Sequence, residues 1–161
     1  MITPGRSVKN DNFDSEDGYY SAIGRFIANF SHIEMVLKLW IAESIQLAEQ
    51  HRDTIISHDF AMSCTIAQKV LPLGMDETAE RDLKPIIKKM RDLNDHRVRI
   101  VHGWWVIGGR MSFLHHVSRG QLTLTAHYQT PGEIAALADK ALDLDSELRE
   151  WHRAHRKPRN T

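Results

Sequence analysis

The sequence has a single cysteine, no excess of charge of either sign and no long apolar run. Cys64 stands alone among 161 residues, so an intrachain disulfide is excluded and the composition suits a reducing compartment. Its neighbours read as a helix face, where the thiol serves packing. Basic and acidic residues number 21 each, so no bulk field points to nucleic acid or to a membrane, and any basic surface has to be local. No stretch approaches the roughly 20 apolar residues of a membrane span, and Met1–Asn12 lacks the apolar centre of a secretory signal. A soluble, cytoplasmic protein with no membrane partner is expected. Internal repeats, low-complexity tracts, a glycine-rich phosphate loop and serine or cysteine nucleophile arrangements are missing as well. Gly108-Gly109 fits a turn better than a phosphate cradle.

What is present suffices for one core. Hydrophobic residues make up 42% of a chain of single-domain length. Residues 1–18, with Pro4, Gly5 and the acids Asp11, Asp14, Glu16 and Asp17, read as a flexible N-terminal arm. Residues 19–152 form the expected single domain, and 153–161 a basic tail.

Periodicity predicts a mainly α protein. Ile23, Phe26, Ile27, Phe30, Ile33, Leu37, Trp40, Ile41 and Ile45 recur at the three-and-four spacing of one long amphipathic helix. A second helix starts at about Thr54 or His58, with a break possible at its start, and stops at Pro72 and Gly74. A third opens at Asp76, carries Leu83, Ile86, Ile87, Met90, Leu93, Ile100 and Val101, and ends at Gly103 as a C′ glycine. Pro85 inside it implies a kink or a start there. The pattern then changes. Turns at Gly108-Gly109 and Arg119-Gly120, with the alternation Gln121-Leu122-Thr123-Leu124-Thr125, predict a small β-hairpin at about 104–128. Thr130-Pro131-Gly132-Glu133 then opens a last long helix with Ile134, Leu137, Ala138, Ala141, Leu144, Leu148 and Trp151 on one face.

The densest chemistry lies where the third helix gives way to strand, in "DHRVRIVHGWWVIGGR" from Asp95 to Arg110. Arg97 and His102 are five residues apart, about 140° around an α-helix. They can be near neighbours only around a partly unwound helix end or across a partner surface. The segment Arg97 to Gly103 resembles the R-x4-6-H motif of the HEPN superfamily, helical domains many of whose members are metal-independent ribonucleases. The first-helix stretch "FSHIEMVLKLW", the ending "RVRIVHGWW" and the late "TPGEI" extend the likeness over Tyr19 to about Trp151. Two features depart from it. Val98 stands where catalytic members usually carry a polar residue, and a second match, Arg91 with His96, has the polar follower Asp92 but no helix-stop glycine.

The resemblance implies an antiparallel helical bundle with the hairpin inserted before the last helix. It also implies a homodimer whose two motifs share a cleft, and RNA cleavage by the 2′-hydroxyl to leave a 2′,3′-cyclic phosphate. His102 would carry the proton and Arg97 would clamp phosphoryl oxygens. Arg99, His96 and Arg91 would support them, and Lys88, Lys89 and Trp104 would meet RNA. No metal or cofactor is implied. A stress, toxin–antitoxin or anti-phage setting would add an antitoxin or another protein partner. Glu34 shares the apolar face of Phe30, Leu37 and Ile41, so it needs a cation, for which the resemblance suggests Arg97 or Arg99.

Each residue has a plainer reading. His102 can simply face the carbonyls of a helix C-terminus, and Arg97 can be a structural ion pair. Trp104 and Trp105 read chiefly as packing, on opposite faces of a strand. His115-His116 and His152/His155 lack the companions of a zinc site. For the whole chain the alternatives are a non-catalytic HEPN-like dimeric module that binds RNA, a nucleotide or a protein, and a purely structural dimeric helical protein.

Overall fold

The computed structural model describes residues 16–107, 113–118 and 121–155. Most of the N-terminal arm, both predicted turns and all but the first residues of the basic tail lie outside the described residues.

The protein is mostly helical. Helix α1 spans Glu16–Ser44, a 3-10 turn covers Glu49–His51, and α2 (Arg52–Ile56), α3 (Phe60–Val70), α4 (Ala79–His102) and α5 (Pro131–His155) follow. None of these helices is long and apolar enough to cross a membrane. Strands β1 (Trp104–Val106), β2 (Phe113–Ser118) and β3 (Gln121–His127) separate α4 from α5. They form an antiparallel sheet in the order β1-β2-β3, with Trp104 opposite His115 and His116 opposite Thr125.

The core follows the apolar stripes. Phe26, Phe30, Ile33, Leu37 and Ile41 of α1 meet Leu83 and Met90 of α4 and Ile134 and Leu148 of α5, all essentially without solvent contact. Each such side chain removed from water contributes about 1.5–3 kcal/mol before the entropy of ordering is counted. Phe60 of α3 closes one end, its ring 4.7 Å from that of Phe30. Between α1 and α5 the Asn29 amide donates to the Ala138 carbonyl at 2.9 Å. The Trp151 indole N–H reaches the Ala79 carbonyl at 3.1 Å, which fixes the C-terminal part of α5 to the start of α4.

The second helix has the break that its start allowed and is divided into α2 and α3, with the Asp59 carboxylate capping α3 by accepting from the Met62 N–H at 2.8 Å. Other ends differ from the sequence reading. Asp76 does not cap α4 directly. It accepts from the Thr78 backbone and hydroxyl, both at 2.9 Å, and the helix starts three residues later, at Ala79. Pro85 lies inside α4 rather than at its start. Gly103 is not in the left-handed conformation of a C′ glycine: at φ −79° and ψ 162° it leads straight into β1. α1 is closed by Gln46, at φ 53°, with the Leu47 N–H on the Ala42 carbonyl at 2.9 Å.

Candidate functional site

The residues singled out in the sequence lie on different sides of α4. The helix is intact through His102, and the Gly103 N–H still bonds the Arg99 carbonyl at 2.8 Å. No unwound end brings Arg97 and His102 together, so they remain about 140° apart around the axis.

Arg97 is half-buried. It lines a cleft of about 400 Å³ with Asn94 and Val98 of α4, Glu34 of α1, and Asp59, Phe60 and Ala61 at the start of α3. His102 is exposed at the last position of the helix. Among the described residues neither side chain takes a hydrogen-bond or ion-pair partner.

Glu34 has its cation, but the partner is not the expected one. Lys38, one turn on along α1, reaches the Glu34 carboxylate at 2.7 Å, with side chains 10% and 25% exposed. The local i,i+4 geometry offers a lysine at no cost in chain closure, so neither Arg97 nor Arg99 is needed. Glu34 and Arg97 share a cleft instead of a bond.

The second motif also diverges. The Arg91 guanidinium turns toward α3 and donates to the Thr65 hydroxyl at 2.9 Å. His96 faces the opposite way, with Nδ1 2.5 Å from the Tyr128 hydroxyl. Arg99 is close enough to hydrogen-bond that hydroxyl too. Burial, then Arg99 and Lys140, lower the His96 pKa, whereas burial raises that of Tyr128. Both groups are thereby held neutral near neutral pH. Tyr128 was not foreseen. Its cue in the sequence was an aromatic residue two positions before Thr130, which opens the N-terminal signal of α5.

Among the proposed RNA contacts, Lys88 is exposed. Lys89 is tied to both oxygens of Glu147 at 2.8 Å. The two tryptophans part as strand geometry requires: Trp104 is 67% exposed, and Trp105 packs on the core, its indole N–H on the Ile100 carbonyl at 2.9 Å.

Three further histidines lie beside other side chains. His152 stacks on Trp40 at 4.1 Å. His155 lies 2.6 Å from Asp76 and 3.5 Å from Asp82. His32 comes within 3.4 Å of the buried Asp145 Oδ1 but is not aligned to hydrogen-bond it. Among the described residues no group of three or more His, Cys, Asp or Glu side chains is arranged to hold a metal ion. Burial pushes the Cys64 thiol up to about 12, the opposite of what a nucleophile needs.

Comparison of the chain with protein-family profiles, with curated proteins and with solved structures finds no match in any of the three.

Proposed function

We propose that the protein is a HEPN-type helical bundle and a metal-independent endoribonuclease that works as a homodimer. The observation that supports this reading is Arg97: a half-buried guanidinium lining an open cleft with no hydrogen-bond or ion-pair partner among the described residues. Holding an unpaired cation at that depth is costly, and a phosphate offers it bidentate acceptors. His102, exposed at the end of the same helix, supplies the proton carrier. Since α4 is intact, one chain does not bring the two together, and each active cleft takes Arg97 from one copy and His102 from the other. In this scheme Arg97 binds the scissile phosphate and stabilises its developing charge, while His102 exchanges the proton of the 2′-hydroxyl or of the leaving oxygen.

The test is cleavage of a mixed tRNA and mRNA pool in excess EDTA by wild type, Arg97→Ala and His102→Ala. Cutting that yields 2′,3′-cyclic phosphate ends and falls about 100-fold or more in His102→Ala supports the reading. Cutting that needs a divalent ion, or that is equal in all three proteins, overturns it.

The divergence of Arg97 and His102, with Val98 between them, favours a second reading. A non-catalytic module would hold RNA through Arg97 alone, and Arg97→Ala would then weaken binding while no preparation cuts.

A further inference from the structure

On the side of α4 away from Arg97, a cleft of about 370 Å³ runs between α4 and α5. Leu93, Leu137 and Leu144 floor it, and the Lys89–Glu147 ion pair closes one end. At the other end stands His96, with Tyr128 behind it.

Tyr128 is held in a way that packing alone does not demand. Its backbone lies at φ 54°, in the left-handed region, which costs a bulky residue on the order of 1–3 kcal/mol. Its surroundings over-determine the position. The Tyr19 hydroxyl donates to the Gln129 carbonyl at 2.5 Å, the Gln129 N–H donates to Glu133 at 3.0 Å, and the Trp105 ring stacks on Tyr128 at 6.3 Å. The outcome of this strained arrangement is the contact of the hydroxyl with His96 Nδ1, with Arg99 in reach of the same oxygen. It fixes the ring and leaves Nε2 as the nitrogen available to a ligand. Arg99 and Lys140 lie close enough to repel the imidazolium, and among the described residues neither is neutralised by a carboxylate in an ion pair.

We propose that this end of the α4–α5 cleft, lined by His96 and Lys140 with Arg99 beside them, binds a terminal phosphate group, carried by a small phosphomonoester or by the phosphorylated end of an oligonucleotide. His96 of α4 and Lys140 of α5 face each other across this end of the cleft, and Arg99 reaches the Tyr128 hydroxyl behind His96, so a tetrahedral dianion would meet donors from both helices. The rest of the cleft sets the limit on the ligand. Asp92 and Asp143 line it between this point and the Lys89–Glu147 pair, so a polyanion continuing inward would be repelled. The bound group is therefore an end, not the middle of a strand.

Binding would reverse the repulsion that Arg99 and Lys140 exert on the imidazolium. Asp92 and Asp95 of α4 already favour the charged ring, while Tyr128 accepts from it or donates to it according to its state. Phosphate should therefore be taken up with a proton near neutral pH.

The experiment is titration of the full-length protein with inorganic phosphate, a nucleoside 5′-monophosphate, and an oligoribonucleotide with and without a terminal phosphate. Binding is followed by the imidazole resonances of His96 and by calorimetry in two buffers of different ionisation enthalpy. The expected result is saturable binding with proton uptake, which weakens about tenfold or more in Lys140→Glu. Tyr128→Phe should lower the proton uptake. Lys140 is exposed, so its replacement leaves folding intact. Binding of the nucleotide and of the phosphorylated oligonucleotide both support the site, and the tighter of the two names the source. Absence of phosphate binding, or binding indifferent to Lys140→Glu, overturns it. The proposal does not rest on the ribonuclease reading, because Lys140→Glu leaves the Arg97 cleft untouched and RNA cutting is scored separately.

Discussion

Glu34 lies at a depth where a carboxylate needs a cation, and Lys38 supplies it from the same helix face. Lys38→Ala should lower unfolding free energy by about 1–3 kcal/mol, because it leaves the carboxylate partly desolvated and unpaired. Replacing both residues together, Glu34→Gln with Lys38→Met, should cost less than the single change. Denaturant titration of the three proteins checks this, and a double variant at least as unstable as Lys38→Ala would refute it. Cys64 gives a second residue-scale test. A thiol pushed up to about 12 by burial should resist iodoacetamide in the native protein and react at once when it is unfolded. Rapid native labelling would show that the site opens.

Helix α4 gives the clearest test at the scale of an element. Pro85 sits inside it and is exposed, so it costs a backbone hydrogen bond without serving the core. Pro85→Ala should raise unfolding free energy by about 1–3 kcal/mol, measured as a higher thermal midpoint; a lower midpoint would mean that the proline shapes the helix in a way the native packing uses. The elements also show how far the sequence could be read. The face of α5, from Ile134 to Trp151, was legible because every apolar residue on it is buried. The helix ends were less so. Gln46 and Tyr128 hold left-handed backbone where glycine is the usual sign, and Gly103, which carried that sign, lies extended. For the candidate site, spacing gave the angle between Arg97 and His102. It did not give the Lys38 partner of Glu34 or the Tyr128 partner of His96, because one depends on which of several nearby cations wins and the other on a contact across 32 positions of sequence.

At the scale of the whole molecule the C-terminal end of α5 is bonded to the middle of the chain. His155, near the end of α5, bonds Asp76 just before α4, and that hydrogen bond holds the Asp76 carboxyl at about 2, against an ordinary 3.8. A carboxyl whose pKa is lowered by folding stabilises the native state above its unfolded value, and that contribution is lost as pH falls through the folded value. Stability should therefore decline between about pH 4 and pH 2 more steeply in wild type than in Asp76→Asn. Identical acid limbs in denaturation profiles would show that the contact contributes nothing.

The measurement that bears most directly on the central claim is complementation between two inactive variants. An intact α4 separates Arg97 from His102 in one chain, so Arg97→Ala and His102→Ala subunits, unfolded and refolded together, should form mixed dimers in which one of the two clefts is whole. The account predicts EDTA-resistant RNA cutting in the mixture and none in either variant alone. A mixture as inactive as its components, beside an active wild type and with mixed dimers demonstrated by mass, would contradict it.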